Sequence, residues 1–243
     1  MAGRRLIVNA DDLGCSIDTT TGILRTFTDG ILTSASLMVR PAAAGDAVDR
    51  AAAVGLDDLG LHLDLGEWSL RAGHWEPVYE VVPRDDARLV EEECARQLER
   101  FERLTGRPPT HLDSHQHVHL HEPVRGVAVA LARRLGIPLR HLSRRVTHRG
   151  KFYGQKGDGT PLPGQITAAA LLEWLREETA TVVEMGCHPG LDRHLPTMYR
   201  DERLAEVATL CQPGLAAAIQ EIGFSLGRFT DLPPEGSPPE TGP

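Results

Sequence analysis

The chain has 243 residues, of which 41% are hydrophobic and 25% are charged, and its formal net charge is −8. This composition is ordinary for a globular protein with a substantial core. An acidic chain is poorly suited to nucleic acid or to an anionic membrane surface, because clustered Lys and Arg drive binding to both. No apolar run has the length of a transmembrane helix, and the N-terminus lacks the apolar segment of a signal peptide, so we expect a cytoplasmic location.

Short apolar segments alternate with longer amphipathic ones along the whole chain. We predict strands at residues 6–9, 34–39, 59–65, 110–116, 139–142, 181–186 and 224–226. We predict helices at residues 17–29, 42–54, 87–104, 123–135, 167–178, 201–211 and 213–222. Such alternation is typical of a parallel sheet with crossover helices.

The number of strand and helix units favours one α/β domain over residues 1–232. We predict a (β/α) barrel of the TIM type, irregular or incomplete, with a disordered tail at residues 233–243. An open, doubly wound sheet is the alternative, but the chain has no Gly-rich dinucleotide fingerprint to support it. Two long connections, residues 66–86 and 143–164, each follow a predicted strand. In a barrel both would lie on the carboxyl face, where active sites occur.

The first strand ends in an acidic pair, in the segment LIVNADDLG. Adjacent carboxylates at the end of a buried strand are costly unless a cation or hydrogen bonds compensate. Asp11 or Asp12 could bind a metal while its neighbour serves as a base toward a water molecule. The alternative interpretation is a turn followed by a helix N-cap.

Two other strand ends carry a single histidine each. His62 interrupts the apolar segment GLHLDLG, and it is either a metal ligand or a hydrogen-bonded core residue. His188 leaves a strand in VVEMGCHPG, just before a Pro-Gly turn, where it is a candidate general acid or base. Glu184 lies on the same strand face and is predicted to orient His188. The alternative is a histidine that is simply hydrogen-bonded within the turn.

The segment HLDSHQHVHLH contains five of the 11 histidines. On an extended strand, residues at i, i+2 spacing point to one face, so this pattern predicts a row of imidazole and carboxylate groups formed by His111, Asp113, His115, His117 and His119. Imidazole and carboxylate groups together are typical of a divalent metal site. Same-face neighbours lie about 7 Å apart, so one or two of them would bind a given ion. An exposed metal-scavenging tract is the alternative, and the apolar residues between the histidines count against it.

These four segments, in this order, resemble the YdjC-like carbohydrate deacetylase family. The family pattern NADDFG, GLHL, THLDSHxHVH and HPG appears here as NADDLG, GLHLDL, THLDSHQHVH and CHPG, with Leu13 in place of Phe. The family is similar to the (β/α)-barrel deacetylases, and dimers are known among its members. The resemblance therefore implies a metal-dependent hydrolase, a homodimer, that removes the acetyl group from an N-acetylated sugar such as a chitooligosaccharide.

The resemblance also implies a role for each matching residue. Asp12, His62 and His115 would hold the divalent metal, either Mg²⁺ or Zn²⁺. Asp11 would be the general base and His188 the general acid. His117 and His119 are implied as contacts to the substrate or as support for the metal ligands.

Two other functions remain open from the sequence. A metal-dependent phosphoesterase or amidohydrolase could use a similar His/Asp cluster, and Arg144, Arg145 and Arg149 in the second long connection could bind phosphate. A non-catalytic metal-binding protein is the other alternative. The acidic pair and His188 argue against it, since metal storage needs neither a base nor an acid.

Overall fold

A computed structural model describes residues 3–235 of the chain. One parallel sheet of seven strands forms the centre of the molecule, and a separate two-stranded hairpin lies beside it. The strands of the large sheet are β1 (Arg4–Leu13), β2 (Ser34–Leu37), β3 (Leu59–Leu63), β6 (Leu112–Ser114), β7 (Thr147–Arg149), β8 (Val182–Cys187) and β9 (Phe224–Leu226). The hairpin consists of β4 (Gly66–Arg71) and β5 (His74–Glu80).

The crossover helices pack an apolar face against the sheet. They are α1 (Ile17–Asp29), α2 (Ala44–Ala53), α3 (Ala87–Thr105), α4 (Val124–Leu135), α5 (Ala168–Glu177), α6 (Asp201–Leu210) and α7 (Leu215–Glu221). Short polar side chains define where several begin: Ser16 caps α1, Asp86 caps α3 and Thr167 caps α5 by accepting backbone N–H bonds. Between residues 3 and 235 no helix is long and apolar enough to cross a membrane.

The large sheet is strongly curled. Its strand order is β6-β3-β2-β1-β8-β7, with β9 paired to the beginning of β1. In a flat sheet β6 and β8 would lie about 19 Å apart, because neighbouring strands are about 4.8 Å apart. The guanidinium of Arg140 nevertheless contacts Asp113 at 2.7 Å and Glu184 at 2.7 Å, and these residues belong to β6 and β8. The sheet is therefore an α/β half-barrel, and β6 and β7 do not pair with each other within residues 3–235.

The parallel βα alternation is present as predicted, but several strands differ from the prediction. Residues 139–142 do not form a strand, because Pro138 cannot donate to a ladder and only a single bridge joins Leu139 to Leu112. The seventh strand of the sheet lies later, at β7. The predicted strand at 110–116 is shorter, ending at Ser114. The connection 66–86 contains the β4–β5 hairpin, and the predicted tail at 233–243 falls largely outside the described residues.

Candidate active site

The acidic pair lies at the carboxyl end of β1 and is almost completely buried. Asp11 and Asp12 are each 2% exposed. Consecutive strand residues normally point to opposite faces, but Asp12 has a left-handed φ of 66° where the pairing register with β2 shifts. This local break lets both carboxylates face the same cavity. The N-cap of α1 is Ser16, so the alternative of a helix cap formed by the acidic pair is not what the fold uses.

Arg140 binds Asp11 through two parallel hydrogen bonds. Its NH1 and NH2 donate to Oδ2 and Oδ1 of Asp11 at 2.6 and 2.7 Å, and Asn9 Nδ2 donates to Oδ1 at 3.1 Å. Arg140 also donates to Asp113 and Glu184, so one buried cation faces three carboxylates. Burial alone would raise the pKa of Asp11, but the Arg140 guanidinium outweighs it and lowers this pKa to about 2. Asp11 is therefore a fixed anion at neutral pH.

Asp12, His62 and His115 form a separate cluster beside Asp11. Asp12 Oδ1 lies 3.3 Å from His62 Nε2 and 3.2 Å from His115 Nδ1, and neither contact has hydrogen-bond geometry. The other oxygen of Asp12 accepts a 2.6 Å hydrogen bond from Arg203 NH2. Asp113 Oδ1 lies 2.7 Å from His62 Nδ1 and holds the ring in place. The result is one carboxylate oxygen and two imidazoles, buried, converging and without hydrogen bonds among themselves.

This cluster fits a divalent metal ion. Two ligands about 2.1 Å from one ion lie about 3–3.4 Å apart, which matches the separations from Asp12 Oδ1 to the two rings. Buried polar atoms without a hydrogen-bond partner are rare in proteins. Asp12 Oδ1 and His62 Nε2 are two such atoms, and a metal ion would satisfy both. A ligand set of one carboxylate and two imidazoles suits Zn²⁺, and it can also bind Mg²⁺ or Mn²⁺.

Without an ion, protons occupy the same cluster. Burial would lower the pKa of His62, but the bonded Asp113 raises it well above its usual value. Burial also opposes the charge on His115, yet the adjacent Asp12 raises its pKa to about 9. Asp12 itself is held well below its usual pKa, against burial, by Arg203 and by the two rings. A dication would replace two imidazolium protons while the local charge stayed balanced.

A second set of atoms, from Asp11, His62 and Asp113, is also close enough to surround an ion. Its carboxylate oxygens are already satisfied, since Arg140 and His62 bond to Asp113 and Arg140 takes both oxygens of Asp11. Ser36 adds a 2.6 Å hydrogen bond to Asp113. An ion at this place would also lie against the Arg140 cation, so Asp113 acts as support for His62.

The histidine segment is not one extended row. Gln116 and His117 have positive φ values of 51° and 52°, which end β6 and turn the chain into a short 3₁₀ helix over His115–Leu120. His111 is buried, stacks on Phe229 at 3.8 Å and contacts Ser36 and Thr110 through its ring nitrogens. The prediction of five side chains on one strand face is therefore wrong, because the strand ends after Ser114.

His117 and His119 point to different surroundings. His119 is fully buried; its Nδ1 contacts Ser114 Oγ at 2.6 Å and its Nε2 contacts the Arg140 carbonyl at 3.2 Å. Both ring nitrogens of His119 thus contact protein groups, which leaves neither of them for a substrate. His117 lines the cavity beside Asp11 and Asp12. Burial and Arg140 lower the pKa of His117 to about 2, so this ring is neutral.

His188 reaches the site from the end of β8. Its Nε2 lies 3.6 Å from Asp11 Oδ2. Burial lowers the pKa of His188 to about 4, although Asp11 and Asp12 oppose this shift, so the resting imidazole is neutral. Glu184 does not orient His188 as predicted, because it faces Arg140 at 2.7 Å and His148 at 3.4 Å. Glu206 of α6 holds the turn instead, by accepting the backbone N–H of His188.

Three residues of the site were not predicted: Arg140, Arg203 and Glu206. Each is buried and bonded to a predicted site residue that is distant in sequence. Arg140 carries a weak signal, as a charge within the apolar segment IPLRHL that was predicted as a strand. Arg203 and Glu206 lie in an ordinary amphipathic helix, where charged residues are expected on the solvent side.

Two cavities flank the cluster. One, of about 300 Å³, is lined by both acids, His188, His117 and Tyr153. The other, of about 330 Å³, extends from Asp12 and His115 to Arg40, Glu67 and Tyr79. Two aromatic residues of the long connections 66–86 and 143–164 lie away from these cavities, since Phe152 belongs to the core and Trp75 is exposed. Of the loop arginines, Arg149 pairs with Glu178, and Arg144 lines a groove beside α4 rather than the site.

Comparison with known proteins identifies the family of this chain. A family model described as YdjC-like protein matches residues 5–221. A chitooligosaccharide deacetylase of Serratia marcescens is 34% identical, over 93% of this chain and 98% of the relative. A chitooligosaccharide deacetylase of Yersinia pestis is 30% identical over the same shares of the two chains.

Solved structures share the fold. A candidate cellobiose-phosphate cleavage protein of Enterococcus faecalis V583 has a TM-score of 0.75 and 26% identity, covering 94% of this chain and 98% of that one. A family 4 carbohydrate esterase of Streptomyces lividans, solved with acetate, has a TM-score of 0.53 at 11% identity and covers 93% of both chains. At that identity the second likeness concerns the fold alone.

Proposed function

The chain belongs to the YdjC-like family, and from this premise we propose that it is a metal-dependent hydrolase that removes the acetyl group from an N-acetylated amino sugar. The observation that carries the proposal is the convergence of a His115 ring nitrogen on Asp12 Oδ1 and His62 Nε2, two buried atoms without hydrogen-bond partners, next to the anionic Asp11. The names of the relatives support a chitooligosaccharide or a related sugar as the substrate.

Asp12, His62 and His115 would hold the ion. The chemistry that a divalent ion supplies there, when bound, is polarisation of the amide carbonyl and a lower pKa for a neighbouring water molecule. Arg203 restricts Asp12 to one free oxygen, and Asp113 fixes the ring of His62. Such supporting contacts orient ligands and are as important as the ligands themselves.

Asp11 is suited to accept the proton of the attacking water. Arg140 keeps it ionised and fixes both oxygens, so its remaining lone pairs have a defined direction. As the water oxygen bonds to the carbonyl carbon, its proton passes to Asp11. His188 Nε2 lies 3.6 Å from that carboxylate and is placed to carry the proton to the amine nitrogen as the carbon–nitrogen bond breaks. His188 is neutral at rest, so it acts as an acid only after receiving this proton.

The two cavities supply room for sugar on both sides of the reacting centre. Each has the volume of a small ligand pocket, and polar groups surround Asp12 in both. We propose that Tyr79 and Tyr153 lie against sugar rings in the two cavities; His117 lines the cavity on the Asp11 side. A homodimer remains a prediction, which light scattering on the purified protein would test.

Acetate release is the direct test. The protein is purified, supplied with Mg²⁺ or Zn²⁺ and incubated with diacetylchitobiose, longer N-acetylglucosamine oligomers and acetylated glycolipid head groups. We expect acetate and a free amine in equal amounts from at least one of them, and none from Asp12→Ala. No acetate from any substrate, with bound metal verified, would contradict the proposal.

The same experiment separates the rival functions. Phosphate release from a phosphate ester would favour the phosphoesterase. The placement of Arg144 and Arg149 away from the site and the commitment of Arg140 and Arg203 to carboxylates leave no free cation among them for a phosphate. Metal binding with neither product would favour the non-catalytic protein.

A further inference from the structure

Three histidines lie together at the open edge of the half-barrel, beside the proposed active site. His117 follows β6, His141 follows Arg140, and His148 belongs to β7. Their ring centroids are 4.4 Å apart for His141 and His148, 5.0 Å for His117 and His141, and 5.7 Å for His117 and His148. Each ring offers a nitrogen, and these nitrogens all lie within 4.8 Å of one another.

A nitrogen of this cluster is left without a partner by the protein. Nδ1 of His117 is buried without a hydrogen-bond partner, and the neighbouring His148 side chain is only 3% exposed. A buried polar group left unsatisfied costs about 1–3 kcal/mol, so such atoms call for a ligand. His111 and His119 of the same sequence segment provide the contrast, because protein groups contact both ring nitrogens of each.

We propose that His117, His141 and His148 bind a second metal ion, a transition-metal dication of the Zn²⁺ class, at a site distinct from Asp12, His62 and His115. Three imidazoles with an open fourth position are a known arrangement for such an ion. All-nitrogen donors favour Zn²⁺, Ni²⁺ or Cu²⁺ and disfavour Mg²⁺. The two sites therefore differ in the ions that they accept.

The surroundings of the three rings fit this ion. Glu184 Oε2 lies 3.4 Å from His148 Nδ1, a carboxylate placed to hold a ligating imidazole and to fix its tautomer. His141 is exposed, while His117 and His148 line the cavity that contains Asp11. The open position would thus be reachable by water or by an oxygen atom of a bound molecule.

Metal stoichiometry tests the second site. Chelated, metal-free protein is dialysed against buffered Zn²⁺ or Mg²⁺, and bound metal is measured by elemental analysis. We expect two Zn²⁺ but one Mg²⁺ per chain in the wild type, and one Zn²⁺ in His141→Ala, whose exposed side chain can be removed with little effect on folding. His74→Ala, an exposed histidine on the β4–β5 hairpin, is the matched control and should keep two.

A second measurement guards against loss of the fold. In His62→Ala the proposed catalytic ligand set is broken, so Co²⁺ should still give the visible absorption of an imidazole-bound ion, and the added His141→Ala change should abolish it. One Zn²⁺ in the wild type, or two in His141→Ala, would overturn the inference. Acetate release by a protein with one ion would contradict this site alone, whereas two ions without acetate release would contradict the proposed function alone.

Discussion

Asp11 and Asp12 are neighbours in sequence, but each faces a different arginine. Arg140 takes both oxygens of Asp11, while Arg203 takes one oxygen of Asp12 and leaves the other directed at His62 and His115. Asp11 is therefore a fixed anion, whereas Asp12 has one oxygen free to bind a metal ion. The sequence showed that two acids stand together, but their separate tasks depend on arginines 129 and 191 residues away.

Asp11→Asn should lower kcat by about 10²–10⁴-fold, because the amide cannot accept the proton of the attacking water. Metal content should be unchanged, since Asp11 is not a proposed ligand. Steady-state acetate release and elemental analysis measure the two quantities. Asp46→Asn on α2, where the Asp46 side chain is 52% exposed, is the matched control and should leave kcat and metal content unchanged. Near-normal turnover in Asp11→Asn would assign the base to another residue.

Binding of Mg²⁺ at pH 7 should release about two protons per ion. The pKa of His115 is about 9 and that of His62 is raised well above its usual value, so both rings are protonated in the metal-free protein and must lose a proton to bind. The affinity should therefore rise with pH up to about 9. Calorimetric titration in buffers of different ionisation enthalpy counts the protons. The exposed His121→Ala variant should give the same count, and a count near zero would show that the rings are neutral.

At the level of elements, the turn that carries His188 rests on α1. Gly22 of α1 approaches Gly190 so closely that a Cβ at position 22 would lie 2.5 Å from the Gly190 Cα. Backbone hydrogen bonds from Gly190 to Arg203 and from Leu191 to Asp18 hold the turn between α6 and α1. Helix packing therefore determines how far His188 reaches toward Asp11.

Gly22→Ala should destabilise the protein by about 1–3 kcal/mol, because the added methyl forces two backbones apart. Displacement of His188 should also lower kcat, by up to about 10²-fold for a shift near 1 Å. Gly45→Ala in α2 is the control: its nearest non-local atom would lie at 4.0 Å, and alanine is the better helix former. Urea unfolding and acetate release measure both effects. Equal stability of the two variants would contradict the close approach.

The sequence predicted the elements with clear periodicity and missed those that depend on partners. All seven helices have a counterpart near the predicted position, because amphipathic periodicity and capping residues such as Ser16 are local signals. The β4–β5 hairpin was missed because β5 is mostly exposed and contains Pro77, while β4 offers only Trp68 and Leu70 as alternating apolar residues. The histidine segment was misread because left-handed backbone at Gln116 and His117 has no signature in residue type.

At the level of the whole molecule, one buried cation joins three strands. Arg140 bonds to carboxylates on β1, β6 and β8 across the opening that the strand ladder leaves. These carboxylates have folded-state pKa values below their unfolded ones, with Asp11 at about 2 against 3.8. Because the pKa values of these carboxyl groups are lower in the folded state, the groups stabilise the fold above about pH 4. This stabilisation is lost as the pH falls toward 2.

Arg140→Met should cost about 3–5 kcal/mol of unfolding free energy at pH 7, because three buried carboxylates lose their common cation. Their pKa values would then rise above the unfolded values, so the variant should regain stability on acidification. The difference in unfolding free energy between the variant and the wild type should be largest near pH 7 and should decrease toward pH 5. Arg228→Met, which breaks an exposed pair with Asp57, should cost under about 1 kcal/mol at every pH. Urea unfolding at several pH values measures this difference. A difference in unfolding free energy that does not change with pH would contradict this account.

The Arg140 bridge has a consequence for how this scaffold can change its specificity. The same side chain closes the half-barrel and sets the charge state of Asp11, so architecture and reactivity cannot vary independently at this position. Variation has more freedom on the β4–β5 hairpin, whose strands pair with no other strand within residues 3–235, yet which brings Glu67 and Tyr79 to one cavity. Relatives that act on different sugars should therefore differ in this hairpin and keep the arginine, and hairpin exchange is the natural route to new substrates.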